Sequence, residues 1–148
     1  MNKTLLIVLL ISLNQLALSQ TPTKKIIETK NAPAPIGPYS QAVQAGNFLF
    51  VSGQIAKDPV SGAMKNANIT DEVMQVMSNV KAVLEATGLG IDNIVKTTIY
   101  LTDMNDFRQV NEIYGSFFKG IYPARETVQV SNLPAGAKIE ISVIAVTK

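Results

Sequence analysis

The segment that most constrains the fold is the strand-like stretch at residues 139–147, because its side chains are apolar on both faces. Alternating positions put four apolar side chains on one face: Ile139, Ile141, Val143 and Ala145. The other face carries Glu140, Ser142, Ile144 and Val146. Both faces of the sheet that contains this strand must therefore be covered by protein.

Two amphipathic segments are predicted to be helices. The first has apolar side chains at helical spacing: Ile69, Val73, Val76, Val80 and Leu84. The second has a shorter apolar stripe: Phe107, Val110, Tyr114 and Phe117. We expect Asn68 or Thr70 to cap the first helix, and Asn105 or Asp106 to cap the second.

Strand-forming segments surround the two helices. Strands are predicted at residues 25–29, 94–101, 125–131 and 139–147, with one hairpin about Gly46-Asn47 and a second formed by the last two strands. This order is typical of an α+β fold with a mixed sheet of about six strands. Two helices cover only one face of such a sheet, so we expect further copies of the chain to cover the other face.

The N-terminal residues 1–19 have the layout of a secretory signal peptide. Lys3 precedes a short apolar run, and the small residues Ala17 and Ser19 follow it. The run is too short to span a membrane. We expect cleavage after Ser19, a single domain at residues 20–148, and a periplasmic or secreted protein that is not held in a membrane. A buried N-terminal helix or a membrane anchor is the alternative.

Composition excludes several kinds of chemistry. The net charge of the 148-residue chain is +2, and it falls by one to +1 when Lys3 is removed, so neither nucleic acid nor an anionic membrane is expected as a partner. The chain has no Cys and no His. Disulfides and a serine–histidine triad are therefore excluded, and neither a zinc site nor a haem site is expected.

Arg125 and Glu140 are the candidates for chemistry in a chain of this composition. Alternation puts Arg125 on a polar strand face, assigns Val128 to the core, and turns Glu140 away from the core. Both charges are then expected on the sheet face opposite the helices. One interpretation is a structural salt bridge across the hairpin. The other is a site in which Arg125 binds the carboxylate of a small acid and Glu140 positions and deprotonates a water molecule.

Five motifs, in order along the chain, resemble the Rid family of reactive intermediate deaminases, also called YjgF-like proteins: NAPAPIGPYSQAV, FVSGQI, VKTTIYLTDMNDFRQVNEIY, YPARETVQV and LPAGAKIEISVIAV. The resemblance runs over residues 25–148. It implies a chorismate-mutase-like α+β fold with both helices on one face of the sheet. It also implies a homotrimer whose sheets form a central barrel, with active sites between subunits. The implied activity is the hydrolysis of 2-enamino or 2-imino acids to 2-oxo acids and ammonia, without a cofactor.

The resemblance also assigns roles to individual residues. Arg125 matches the family's carboxylate-binding arginine, and Glu140 matches the residue that orients the attacking water. The positions that match substrate-binding residues are Tyr39, Ser52, Gly53, Asn111 and Thr127. Thr127 stands where many members have cysteine, and its hydroxyl still donates and accepts hydrogen bonds. No metal ligand is implied.

The predicted export leaves a second function open. Imines of this kind arise mainly in cytosolic metabolism, whereas the N-terminus predicts secretion. The alternative is an exported ligand-binding or chaperone-like trimer that keeps the carboxylate pocket without catalysis. RNA cleavage, a third activity attached to some relatives, is disfavoured by the near-neutral charge and the lack of histidine.

Overall fold

The computed structural model describes residues 23–147 of the chain. The predicted signal peptide, residues 1–19, lies outside this range and stays a prediction. Within the described range, no helix is long and apolar enough to cross a membrane.

The described residues form a six-stranded sheet and two α-helices, which confirms the predicted α+β class. The strands are β1 Lys24–Ile27, β2 Ala42–Ala45, β3 Phe48–Gln54, β4 Ile94–Leu101, β5 Ala124–Gln129 and β6 Ile139–Val146. The helices are α1 Ile69–Glu85 and α2 Phe107–Gly115.

The helix starts follow local capping. Asn68 caps α1, because its side chain accepts a hydrogen bond of 2.9 Å from the backbone N–H of Asp71. Asp106, one of the two residues predicted to cap α2, stands at its N-cap position, but its side chain makes no capping hydrogen bond. A 3-10 turn precedes that helix, and the carboxylate of Asp103 caps the turn by accepting from the N–H of Asn105 at 2.9 Å. The added turn moves the capping hydrogen bond toward the N-terminus.

The strands run in the order β1-β2-β3-β6-β4-β5, and all neighbours are antiparallel except β4 and β5. The hairpin of β2 and β3 is confirmed, with Gly46 at a φ of 57° in its turn. The second predicted hairpin is wrong, because β4 lies between β5 and β6. A helix connects β4 to β5, as parallel strands require.

The segment after β5 explains how β6 reaches the interior of the sheet. It passes the end of β4, where the N–H of Val130 bonds to the carbonyl of Leu101 at 2.8 Å. On the return path, the N–H of Thr102 bonds to the carbonyl of Lys138 at 3.0 Å. The chain then enters between β3 and β4, so β6 pairs with both of them.

The core lies between the helices and one face of the sheet, here called the helix face. The buried sheet residues on this face include Leu49, Val51, Ile99, Leu101, Ile139, Ile141, Val143 and Ala145. The opposite face, here called the open face, has exposed apolar side chains at Ile26, Phe48, Phe50 and Val128. One chain therefore leaves an apolar sheet face uncovered, as predicted from the last strand.

Arg125 lies on the helix face, which corrects the predicted orientation of β5. It pairs with Thr97 of β4, and Thr97 pairs with Val143 of β6. Paired residues of neighbouring strands point to the same side of a sheet, and both Thr97 and Val143 are buried under the helices. Arg125 is nevertheless exposed, because it sits on the edge strand beside α2.

Glu140 lies on the open face, as predicted. It pairs with Tyr100, which in turn pairs with Val128. The assignment of Val128 to the core is therefore wrong, since this side chain belongs to the open face and is 45% exposed. Arg125 and Glu140 of one chain thus stand on opposite faces of the sheet.

Candidate active site

The first group of site residues consists of Arg125, Asn111 and Thr127, and is called here the arginine half-site. Arg125 and Asn111 line a cavity of about 360 Å³ between β5 and α2. Thr127 follows two residues along β5 on the same face. In the described part of the chain, the Oδ1 atom of Asn111 and the Oγ1 atom of Thr127 are buried without a hydrogen-bond partner. Buried polar atoms are nearly always paired, so both atoms have capacity for a further hydrogen bond.

Two aromatic rings hold the guanidinium of Arg125. Its Cζ atom lies 5.2 Å from the ring centroid of Tyr114 and 6.0 Å from that of Phe107. The hydroxyl of Tyr114 donates a hydrogen bond of 2.9 Å to Oγ1 of Thr97, which fixes the ring. Burial raises the pKa of Tyr114, so this hydroxyl stays protonated. None of the ion pairs among residues 23–147 includes Arg125.

The second group consists of Glu140, Gly53 and Ser52, and is called here the glutamate half-site. Gly53 lies in an irregular stretch of β3 between Val51 and Gln54, directly against the Glu140 side chain. A Cβ atom added to Gly53 would lie 2.6 Å from Cδ of Glu140, which is too close for any side chain. Glu140 therefore occupies the space that a glycine leaves.

Glu140 is half-buried and takes part in no ion pair of the described chain. Burial is the cause that raises the pKa of its carboxyl group above the ordinary value of 4.5. A carboxylate whose pKa is moved toward neutrality can take a proton from water and return it within one reaction.

Ser52 ties the glutamate half-site to the loop that carries Tyr39. Its hydroxyl donates to the carbonyl of Ser40 at 2.7 Å, and its N–H donates to the carbonyl of Gln41 at 3.0 Å. Tyr39 folds back on its own loop, where its hydroxyl accepts a hydrogen bond of 3.2 Å from the N–H of Ile36. Its ring is half-exposed and lines none of the cavities described here.

The structure contradicts the structural salt bridge between Arg125 and Glu140, since the two side chains occupy opposite faces. It also shows cavity residues that sequence reasoning missed, namely Tyr114, Gly115, Tyr122 and Pro123. Tyr114 was predicted to be a core residue of α2. Its hydroxyl group was the feature that could have indicated a polar contact as well. Gly115, the last residue of α2, gives no such signal, because glycine is common where a helix ends. Among residues 23–147, no group of three or more side chains is arranged to hold a metal ion.

A family profile settles the relationship to known proteins. The profile of the family described as "Endoribonuclease L-PSP" matches residues 29–147. The chain belongs to this family, the Rid proteins. The resemblance drawn from the five sequence motifs is thereby confirmed.

Individual Rid relatives match over nearly their whole length. The mouse protein named 2-iminobutanoate/2-iminopropanoate deaminase is 48% identical over 123 residues, which cover 83% of this chain and 91% of the relative. The crystal structure of a protein of unknown function of the Rid family from Yersinia pestis is 51% identical with a TM-score of 0.82, covering 84% of this chain and 100% of that one. The structure of E. coli TdcF with bound serine is 45% identical with a TM-score of 0.81, covering 84% and 99%. These likenesses confirm the predicted fold.

Proposed function

We propose that the protein hydrolyses reactive 2-imino and 2-enamino acids to 2-oxo acids and ammonia. The arginine half-site of one copy binds the substrate carboxylate. The glutamate half-site of a neighbouring copy orients the water that attacks the imine carbon. Three copies form the assembly, with a site in each cleft between them.

The observation that carries this proposal is the held but unpaired guanidinium of Arg125. The rings of Tyr114 and Phe107 fix its position, and no carboxylate of the described chain neutralises it. The planar N–H donors of arginine match the two oxygens of a carboxylate. In the same cavity, the unpaired Oδ1 atom of Asn111 is an acceptor for the N–H of a substrate imine or enamine.

The placement of the two half-sites supports a site shared between copies. Arg125 and Glu140 of one chain are separated by the sheet, so a neighbouring copy must supply the second charge. The apolar open face, which holds Glu140 as well as Phe48 and Phe50, requires cover by protein. A homotrimer with a central barrel, as the resemblance implies, brings these surfaces together.

The reaction consumes one water molecule and needs no other reactant. Glu140 takes a proton from water as the oxygen bonds to the imine carbon, and it passes this proton to the imine nitrogen, which gives a carbinolamine. The hydroxyl proton of the carbinolamine is then transferred through Glu140 to the amino group as the C=O bond forms and the carbon–nitrogen bond breaks, so that ammonia leaves and the 2-oxo acid remains. Imines hydrolyse readily in water, so the contribution of the protein is mainly the position of substrate and water.

The relatives support the same substrate class. The mouse relative is named for the deamination of 2-iminobutanoate and 2-iminopropanoate. The TdcF structure contains serine, a small molecule with a carboxylate next to a nitrogen-bearing carbon. The imino acids in the mouse protein's name and the serine bound to TdcF all carry a carboxylate, the group that we propose Arg125 binds.

A subunit-mixing experiment tests the shared site. Arg125→Ala and Glu140→Gln chains are each expected to lose imine hydrolysis, and co-assembled trimers of the two are expected to regain about one quarter of the wild-type sites, because random assembly joins an intact arginine with an intact glutamate at that frequency. The matched control joins Arg125→Ala chains with chains that carry both substitutions, and it should stay inactive. Mixed trimers without recovered activity would contradict a site formed between copies.

Decay of 2-iminobutanoate, generated by an amino-acid oxidase, separates this activity from the alternatives. Decay at the buffer rate, combined with retained binding of 2-oxo acids, would favour the ligand-binding or chaperone-like trimer. The family description also names endoribonuclease activity, so cleavage of a labelled RNA is assayed in parallel. RNA cleavage that survives Arg125→Ala would place that activity outside the proposed site.

We also propose that the protein is exported after cleavage behind Ser19. The support is the basic, apolar and small-residue order of residues 1–19. N-terminal sequencing of the protein from the periplasm or medium should begin at Gln20. Intact Met1 in a cytosolic fraction would contradict export.

A further inference from the structure

The cavity beside Arg125 is larger than the smallest imino acids require. Its volume is about 360 Å³, and ligand pockets that hold drug-sized molecules begin near 300 Å³. An imino acid whose side chain is a single methyl group leaves much of this space empty. In one chain, without the neighbouring copy, the cavity therefore has room for a large substrate side chain.

Gly115 creates part of that room. It is the last residue of α2, so the cost of a glycine in a helix interior does not apply to it. Its φ is not in the left-handed region, and an added Cβ would meet only the hydroxyl of Tyr122, at 4.0 Å. Neither backbone conformation nor packing within the chain requires a glycine here. What its missing side chain provides is open volume.

Two aromatic rings, Tyr114 and Tyr122, line this volume, and Phe118 packs between them outside the lining. Tyr122 packs on Phe118 with ring centroids 5.9 Å apart, and Phe118 packs on Tyr114 at 4.8 Å. Tyr114 is fixed by its bond to Thr97, so the row of three rings is anchored at one end. Tyr122, at the other end, is 61% exposed. An exposed ring at a cavity wall offers an apolar surface that a ligand can cover.

The cavity runs along α2, with a polar end near Arg125 and a more apolar end one helical turn away. Phe107 and Asn111 stand with the Arg125 guanidinium, whereas Gly115 lies one helical turn, about 5.4 Å, beyond Asn111 on the same helix side. A substrate whose carboxylate is on Arg125 thus extends its side chain toward Gly115 and Tyr122.

We infer that this site selects 2-imino acids with large apolar or aromatic side chains, and that Gly115 and Tyr122 determine this selectivity. The inference rests on the proposed function for its substrate class. It adds which members of that class the protein prefers. Aromatic and branched amino acids are the parent compounds of such imines.

Binding of 2-oxo acids, the reaction products, tests the selectivity without requiring catalysis. Burial of an aromatic side chain contributes enough that phenylpyruvate should bind at least about tenfold more tightly than pyruvate in isothermal titration calorimetry. Gly115→Leu should abolish this difference, because its side chain fills the space proposed for the ring of phenylpyruvate. Tyr122→Ala should reduce the difference, and Tyr122→Phe should retain it. Glu112→Leu puts a leucine on the exposed side of α2, away from the cavity, and serves as the control.

Kinetics on imines from alanine and phenylalanine then separate the two proposals. A large-substrate preference in kcat/KM that disappears in Gly115→Leu supports both. Accelerated hydrolysis of both imines, with equal product affinities and no selective effect of Gly115→Leu, would overturn the selectivity alone. Tight, Gly115-dependent binding of phenylpyruvate without accelerated hydrolysis of either imine would overturn the proposed function and leave the binding selectivity standing.

Discussion

Gly53 and Glu140 are in such close contact that a Cβ atom on Gly53 would lie 2.9 Å from Cγ and 2.6 Å from Cδ of the glutamate. The contact links β3 with β6 on the open face of the sheet. It means that the position of the proposed water-orienting carboxylate depends on a residue that has no side chain.

Gly53→Ala should therefore impair catalysis by displacing the carboxylate of Glu140. A misplacement on the order of 1 Å lowers rates by up to about a hundredfold, so we expect kcat for imine hydrolysis to fall at least about tenfold with little change in KM. Steady-state kinetics on 2-iminobutanoate measure this. Gly90→Ala is the matched control, because nothing lies within 4 Å of a Cβ at that position.

Gly53→Ala should have little further effect on kcat when the carboxylate of Glu140 has already been replaced. In a Glu140→Gln background, adding Gly53→Ala is expected to change kcat by less than about twofold. A full additional tenfold loss in the double variant would show that Gly53 acts by another route.

Protonation of Glu140 at low pH should decrease the activity of the protein but increase its stability. Burial raises its pKa above 4.5 in the folded state. Because the base form is needed to take a proton from water, kcat should fall as pH drops through this raised pKa, at a higher pH than for an ordinary glutamate. A pH–rate profile with its acid limb at or below pH 4.5 would contradict the role.

Stability follows from the same raised pKa. The stabilisation by neutral Glu140 is complete below the unfolded value of 4.5 and is lost as pH rises through the folded pKa. At pH 7 the wild type therefore holds a partly desolvated charge that Glu140→Gln lacks. We expect the variant to have the higher Tm at pH 7, and the difference to shrink toward pH 4, in thermal scans at both values.

Glu72, in the core, holds the residue that directly precedes β6 by a hydrogen bond. This side chain of α1 is fully buried, and its Oε1 atom accepts a hydrogen bond of 2.6 Å from the N–H of Lys138. Glu72→Ala leaves that N–H unpaired and should lower the free energy of unfolding by about 2 kcal/mol. Glu72→Gln keeps the acceptor and should lose less. Urea titration measures both, and Glu85→Ala, at an exposed ion pair, should change stability by less than about 0.5 kcal/mol.

The open face should hold the assembly together. Phe50 is 45% exposed there in one chain, and Phe50→Lys would place a charge in an apolar contact. We expect light scattering to give the mass of three chains for the wild type and of one chain for the variant. Met74→Lys removes an equally exposed apolar side chain from α1 and should leave the mass at three chains. A wild-type mass of one chain would contradict the shared site as well.

The secondary structure could be predicted from the sequence because it depends on local patterns. The spacing of apolar residues in α1 and the turn at Gly46 are visible within short windows, and both are confirmed. The pairing of β5 could not be predicted, because a parallel partner is chosen by the crossover through α2 and not by the adjoining segment. The two final strands looked like a hairpin only because they are neighbours in sequence.

The faces of β5 were mispredicted for a related reason. Val128 was assigned to the core because it is apolar, but the open face of this sheet is itself apolar and accepts it. Arg125 was assigned away from the helices because it is charged, whereas the edge of the helix face holds a cavity that leaves it exposed. The motifs identified these residues as candidates for a site, and only the strand register shows that they lie on opposite faces of the sheet.

Threonine at position 127 makes this position resistant to oxidation. Its buried hydroxyl lies in the arginine half-site, in a chain that contains no cysteine at all. Peroxides convert a thiolate stepwise to sulfenic, sulfinic and sulfonic acids, and an alcohol undergoes none of these reactions. Oxidants that would permanently modify a cysteine at this position therefore leave the Thr127 hydroxyl unchanged.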